Sequence, residues 1–122
     1  VVLHGDFHPR QVIDDGEKAA LIDFDESLVG PAAVDLGRFI SELHMNVARG
    51  EISEVAAESA ADALVEGYSG TRAAPSASSI RNFTALALLN LAHEPFRRHH
   101  REWPTEISAI LDSVERLLEA GA

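Results

Sequence analysis

From Pro31 onward the apolar residues recur at helical spacing. Leu36, Phe39, Ile40, Leu43 and Val47 form a first stripe, with Gly50 placed to end it. Val55, Ala57, Ala60, Ala61, Leu64 and Tyr68 form a second, followed by the Pro/Ser/Ala-rich connector 73–79. A third helix is predicted from Ile80 to about Phe96; its middle, Ala85 to Leu89, is apolar nearly all round, so burial is expected. Ile107, Ile110, Leu111, Val114, Leu117 and Leu118 make a final stripe, with Thr105 after Pro104 as its candidate N-cap. Before Pro31 the pattern differs. Val1–Leu3 is a short apolar run, and the runs 11–13 and 19–24 flank Asp14-Asp15-Gly16-Glu17, where Asp-Gly between apolar runs predicts a β-hairpin. The expected fold is mainly α with a small β-hairpin (α+β): a loop and hairpin over 1–30, then four helices over 31–122 of the same unit.

The 122 residues are at most one domain's worth, and the apolar and charged fractions of 46% and 25% are those of an ordinary globular chain. The formal net charge of -10 argues against a general nucleic-acid binder, which needs clustered Lys and Arg. All of that excess lies in residues 1–70, with 14 acids against 4 bases; residues 71–122 balance. Such an acidic half suits metal ions or cationic small molecules, although on charge alone a solvated acidic surface is the favoured reading. The absence of cysteine excludes disulfides, thiolate nucleophiles and Cys-based zinc sites. No apolar run reaches the roughly 20 residues of a membrane span or the length of a signal-peptide core, and a cytoplasmic location is expected.

Candidate chemistry is concentrated in residues 4–35. In His4-Gly5-Asp6-Phe7-His8-Pro9-Arg10-Gln11, Gly5 permits an unusual backbone and Pro9 stiffens the exit, so the loop presents Asp6 on rigid supports. A carboxylate there suits proton abstraction from a hydroxyl, or a metal ion. Asp23, twelve residues beyond Gln11 at the end of an apolar strand, is a second carboxylate for a hard cation such as Mg²⁺. The hairpin folds Asp23 back toward the Asp6 loop, which assembles the equipment of metal-assisted phosphoryl transfer. A different reading is a divalent-metal hydrolase: His4, Asp6 and His8 alternate and would share one face of an extended strand. Against it, Gly5 and Pro9 favour a loop. The basic run Arg97, Arg98, His99, His100, Arg101, next to Trp103, reads either as an anion site or as the solvated end of the third helix.

The segments His4–Gln11, Ile22–Asp25, Gly30-Pro31 and Asp35-Leu36 together resemble the C-terminal lobe of the aminoglycoside phosphotransferase/choline kinase family, which has a protein-kinase-like fold. The family's usual loop reads H-G-D-x-H-P-x-N, followed by I-D-[FW]-[DE] and G-[DP]-P-x-x-D-L; this chain has HGDFHPRQ, IDFD and GPAAVDL. The resemblance implies a phosphotransferase that moves the γ-phosphoryl group of ATP to a hydroxyl of a small molecule. It implies that Asp6 is the catalytic base and Asp23 the principal Mg²⁺ ligand. Gln11 stands where the family usually has a metal-binding Asn, a departure that adds one methylene to the same amide. Asp25 matches a second acid of the metal or substrate site, and Asp35 a helix-start acid that supports the loop by hydrogen bonding. His4 and His8 are supporting residues.

The same resemblance makes the start at Val1 significant. The phosphate-binding Lys and nucleotide cover of a kinase-like N-terminal lobe have no counterpart here; the only lysine is Lys18, in the hairpin turn. The expectation is a lobe inactive alone, with ATP and Mg²⁺ as cofactors of the full-length protein and a small hydroxyl acceptor as its partner, either a cation such as an aminoglycoside or choline or a sugar-like compound. Exposed apolar surface predicts self-association or a second chain that covers it. A non-catalytic kinase-like relic or interaction module is the other class that fits.

Overall fold

The computed structural model describes residues 1–120. Two short antiparallel ladders lead into five helices, and about 60% of the chain is helical, so the class is α+β. β2 (Val12–Asp14) and β3 (Ala19–Leu21) form the expected hairpin, with Val12 opposite Leu21 and Asp14 opposite Ala19. Its turn is held by local carboxylates: Asp14 Oδ1 accepts from the Gly16 amide, and Asp15 Oδ1 accepts from the Glu17 and Lys18 amides at 2.9 and 2.8 Å. A second ladder has no signature in the residue pattern. β1 (Val2–Leu3) pairs with β4 (Leu28–Val29), flanked by hydrogen bonds between Val1 and Gly30. Two residues a side are too few for an alternation pattern to register.

α1 (Ala32–Ala48) is the central element, since α2 (Glu54–Ser69), α3 (Ala77–Leu91) and α5 (Trp103–Glu119) all pack on it. Its Ala33, Leu36 and Ile40 meet Ile80 of α3 and the half-buried Leu64, Val65 and Tyr68 of α2. Its Met45 joins Ala85 and Leu88 of α3 and Ile110 and Val114 of α5 in a second cluster. Truncating the fully buried Leu88 to Ala would cost about 2–5 kcal/mol. α1 and α3 approach closely at Gly37. A Cβ there would lie 2.7 Å from the backbone of Phe83 and Thr84, so no larger residue fits without separating the helices.

Three expectations for the helices need correction. The third helix stops at Leu91, and a separate one-turn α4 (Glu94–Arg97) follows. Pro95 is the cause: it has no N–H for the Leu91 carbonyl and its ring collides with that turn, so it is accommodated only at the start of a new helix. α3 is also not buried all round, because Leu86 and Leu89 lie about half exposed on the side away from α1 and α5. Finally, Thr105 is not a cap. α5 begins at Trp103, with Pro104 and Thr105 inside its first turn. In α2 the core stripe is Ala57, Ala61, Leu64, Val65 and Tyr68, and Val55 is exposed.

No helix among the described residues is long and apolar enough to cross a membrane. Several apolar residues of the N-terminal segment, Val2, Phe24, Leu28 and Val29, are exposed. An open groove of about 900 Å³, lined by Leu3, Phe7, Phe24, Leu36, Leu64 and Tyr68, runs between that segment and α2.

His44 of α1 lines a hollow with Glu54 and Glu58 of α2 and Arg116 of α5. Burial pushes its pKa below the ordinary 6.5, and Arg116 adds to the effect while Glu54 opposes it. The unfolded chain therefore binds the proton more readily. The contribution of His44 to stability is complete above about pH 6.5 and is lost as pH falls toward the lowered folded value. Thermal unfolding followed between about pH 7.5 and 5.5 should show a falling midpoint, with a shallower fall in His44→Gln. Identical slopes in the two proteins would contradict the assignment.

Candidate active site

The loop 4–11 is shaped by three constraints acting together. Gly5 adopts φ +91° with its Cα against the backbone of Glu26; a Cβ would lie 2.0 Å from the Glu26 carbonyl oxygen, so only glycine fits. Asp35, in the first turn of α1, accepts the His4 amide on Oδ2 at 2.7 Å and the Gly5 amide on Oδ1 at 3.1 Å. Pro9 opens the 3-10 turn Pro9–Gln11, in which the Gln11 amide donates to the His8 carbonyl. Asp6 therefore leaves a backbone held on both sides.

The two histidines serve the loop. His4 is buried between the rings of Phe7 and Phe24, donates from Nε2 to the Ile22 carbonyl at 2.7 Å, and receives the Asp6 amide on Nδ1 at 3.4 Å. A carbonyl only accepts and an amide N–H only donates, which fixes the tautomer with the proton on Nε2. Both ring nitrogens are thereby used. His8, 7% exposed, places Nε2 3.4 Å from Asp6 Oδ2. Burial is the main influence lowering its pKa, so it is neutral at pH 7. The alternation of His4, Asp6 and His8 does not make a metal centre: among the described residues, no three His, Asp or Glu side chains converge for a metal ion.

Gln11 and Asp23 do come together. The Ile22 amide donates to the Gln11 carbonyl at 3.0 Å, which extends the hairpin register by one step and brings Asp23 beside the Gln11 side chain. Gln11 Nε2 donates to Asp23 Oδ2 at 3.1 Å. Asp23 holds φ +65°, a left-handed conformation that Asp tolerates better than most residues and that turns its carboxylate out of the strand direction. The bond leaves the amide oxygen of Gln11 uncommitted. One carboxylate and one amide oxygen form a hard-oxygen donor set. They fit Mg²⁺ of the kind that takes only one or two protein ligands and completes its shell with phosphate oxygens and water. Asp25 lies exposed in the turn 24–27, two residues beyond Asp23.

The structure also places residues at Asp6 that the sequence reading did not single out. Arg38, one turn beyond Asp35 on α1, donates from Nε to Asp6 Oδ1 at 3.2 Å, with Nη2 at 3.2 Å from the same oxygen. Its Nη1 reaches Glu42 Oε2 at 3.1 Å. Glu42, only 5% exposed, is in turn 3.2 Å from Arg10 and 3.7 Å from Arg49. The signal available was the i,i+4 pair Arg38–Glu42 interrupting the apolar stripe of α1.

A model of the phosphotransferase enzyme family matches residues 1–78 of the chain. The chain belongs to this phosphotransferase family. Neither a curated protein nor a solved structure matches it. The matched span of this phosphotransferase-family chain takes in the Asp6 loop, the Gln11–Asp23 pair, the Asp35 anchor and the Arg38–Glu42 network.

Glu42 compensates three guanidiniums from inside the protein. Glu42→Gln should destabilise the fold by on the order of 3 kcal/mol, the penalty for unpairing buried charge. Urea unfolding measures it; a change within about 0.5 kcal/mol, typical of an unremarkable surface position, would contradict the role.

Proposed function

We propose that this chain is the C-terminal, kinase-like lobe of an ATP-dependent phosphotransferase, and that the reaction moves the γ-phosphoryl group to a hydroxyl of a small molecule. The observation that carries the reading is the joint presentation of Asp6 and the Gln11–Asp23 pair by one loop-and-hairpin unit within the span shared with the family. In this reading Asp6 orients the acceptor hydroxyl and takes its proton on Oδ2 as the oxygen attacks phosphorus. Arg38 keeps the carboxylate aimed by occupying Oδ1. Asp23 with Gln11 would hold Mg²⁺, which when bound neutralises charge on the nucleotide phosphates. Asp35 acts on the loop backbone and not on the reactants. Asp25, exposed near Asp23, is reserved for the metal's outer sphere or the substrate.

General-base catalysis is worth about 10²–10⁴ in rate. In the full natural protein supplied with ATP, Mg²⁺ and a panel of hydroxyl acceptors, Asp6→Ala should lower turnover by a factor in that range, read as ADP release in a coupled assay. Full turnover in the variant would remove Asp6 from the role of base. Wild-type protein that neither binds nucleotide nor turns over would favour a non-catalytic module.

A further inference from the structure

Asp6 lines a cavity of about 340 Å³ on the side of the loop that faces α1 and α4, and does not line the large apolar groove beside α2. The cavity's walls are unusual for a chain with a net charge of -10. Five arginines line it: Arg10 of the loop, Arg38 of α1, Arg49 just past the end of α1, Arg97 of α4 and Arg98 just beyond. Three carboxylates oppose them, Asp6, Glu42 and Glu94, and His8 is neutral, so two positive charges stand in excess. An adjoining hollow of about 300 Å³ shares Arg10, Glu42, Arg49 and Arg98.

The arginines differ in how far they are committed. Arg38 spends all three guanidinium nitrogens on Asp6 and Glu42. Arg49 is divided among Asn46, Glu42 and Glu51. The remaining three are half exposed and keep donors in reserve. Arg10 meets Glu42 through Nη2, and Arg98 meets Glu94 through Nε alone. Arg97 uses Nε and Nη2 on that same carboxylate. Glu94 is held ionised by Arg97, with help from Arg98, so one carboxylate orients two guanidiniums without neutralising both. Guanidiniums with free, oriented N–H groups are the side chains best matched to carboxylate or phosphate oxygens. They offer a cation only repulsion.

On the phosphotransferase reading, the acceptor hydroxyl sits at Asp6 and the body of the acceptor must fill the space beside it. We infer that the acceptor is a small hydroxy compound bearing an anionic group, a carboxylate or a phosphate ester, held by Arg10, Arg97 and Arg98. The volume agrees, lying near the lower limit of ligand pockets, roughly 300–1,000 Å³. The acidic surface of the first 70 residues had suggested a cationic acceptor; the local charge at Asp6 has the opposite sign.

Equilibrium binding tests this without turnover. The full natural protein is titrated calorimetrically with D-glycerate, glycerol 3-phosphate and choline at low ionic strength, with and without Mg²⁺–ATP. Binding of at least one of the two anions, no binding of choline, and about tenfold weaker affinity in each of Arg97→Gln and Arg98→Gln are expected, the loss of one charge-assisted hydrogen bond. Both arginines are exposed enough that the variants should fold, which circular dichroism verifies, and Arg98→Lys should recover part of the affinity. The preferred anion distinguishes a carboxylate from a phosphate ester. Binding of choline in preference to both anions, failure of both anions to bind, or indifference to the arginine variants would overturn the inference. So would displacement of the anion by Mg²⁺–ATP, which would assign the arginines to the nucleotide. Anion binding without phosphoryl transfer in any assay would count against the phosphotransferase reading alone, whereas transfer to choline without anion binding would count against this inference alone.

Discussion

A single carboxylate ties the two parts of the molecule together. Asp35 accepts two backbone amides, those of His4 and Gly5, across some thirty residues of intervening chain. Hydrogen bonds to a charged acceptor are worth about 1.5–3 kcal/mol each, and these two act on adjacent residues of a loop that forms little regular structure of its own. The position of Asp6 relative to α1 follows from them. So does the reach of Arg38, which leaves the same helix one turn later and meets the Asp6 carboxylate. Without the Asp35 anchor, the loop would be left to the His4–Ile22 and Arg38–Asp6 bonds and to the two-residue ladder between β1 and β4, and short isolated strand pairs are marginal in water.

The charge network grows out of that arrangement. α1 carries Asp35, Arg38 and Glu42 along one side, with Arg49 at its C-cap, while its other faces build both core clusters. Its rigidity comes from apolar packing around it and from the close approach at Gly37, and it is spent on fixing charged groups next to the loop. The Gln11–Asp23 pair is set independently, by the hairpin register. Two separately fixed carboxylates, one with a guanidinium and one with an amide, thus face different surroundings. On the proposed reading, that difference suits one side to a cation and the other to an anion.

Much of this was legible in the residue pattern. The Asp-Gly turn fixed the hairpin, and helical spacing found α1, α2 and α5 because each has a long buried face. What periodicity missed has physical causes. The break before Pro95 is set by one missing N–H in an otherwise helical run. The β1–β4 ladder joins segments about 27 residues apart through too few residues to leave a pattern. At the site, the motif residues could be named, but the α1 charges that meet Asp6 could not. Arg38 and Glu42 look like ordinary helix-surface charges until tertiary packing places them at Asp6. The cationic cavity was hidden by averaging: Arg97 and Arg98 belong to the neutral half of the chain, Arg10, Arg38 and Arg49 to the acidic half, and only the fold brings them to one place.

Asp35 preforms the loop, which does not wait for a ligand to order it. Amide hydrogen exchange at His4 and Gly5, read by NMR on the ligand-free protein, addresses this directly. Both amides should be protected to nearly the extent of the α1 core, and that protection should be lost selectively in Asp35→Ala while the amides of Leu43 and Leu88 stay protected. Exchange of His4 and Gly5 in the wild-type protein at rates typical of an unstructured peptide would contradict it.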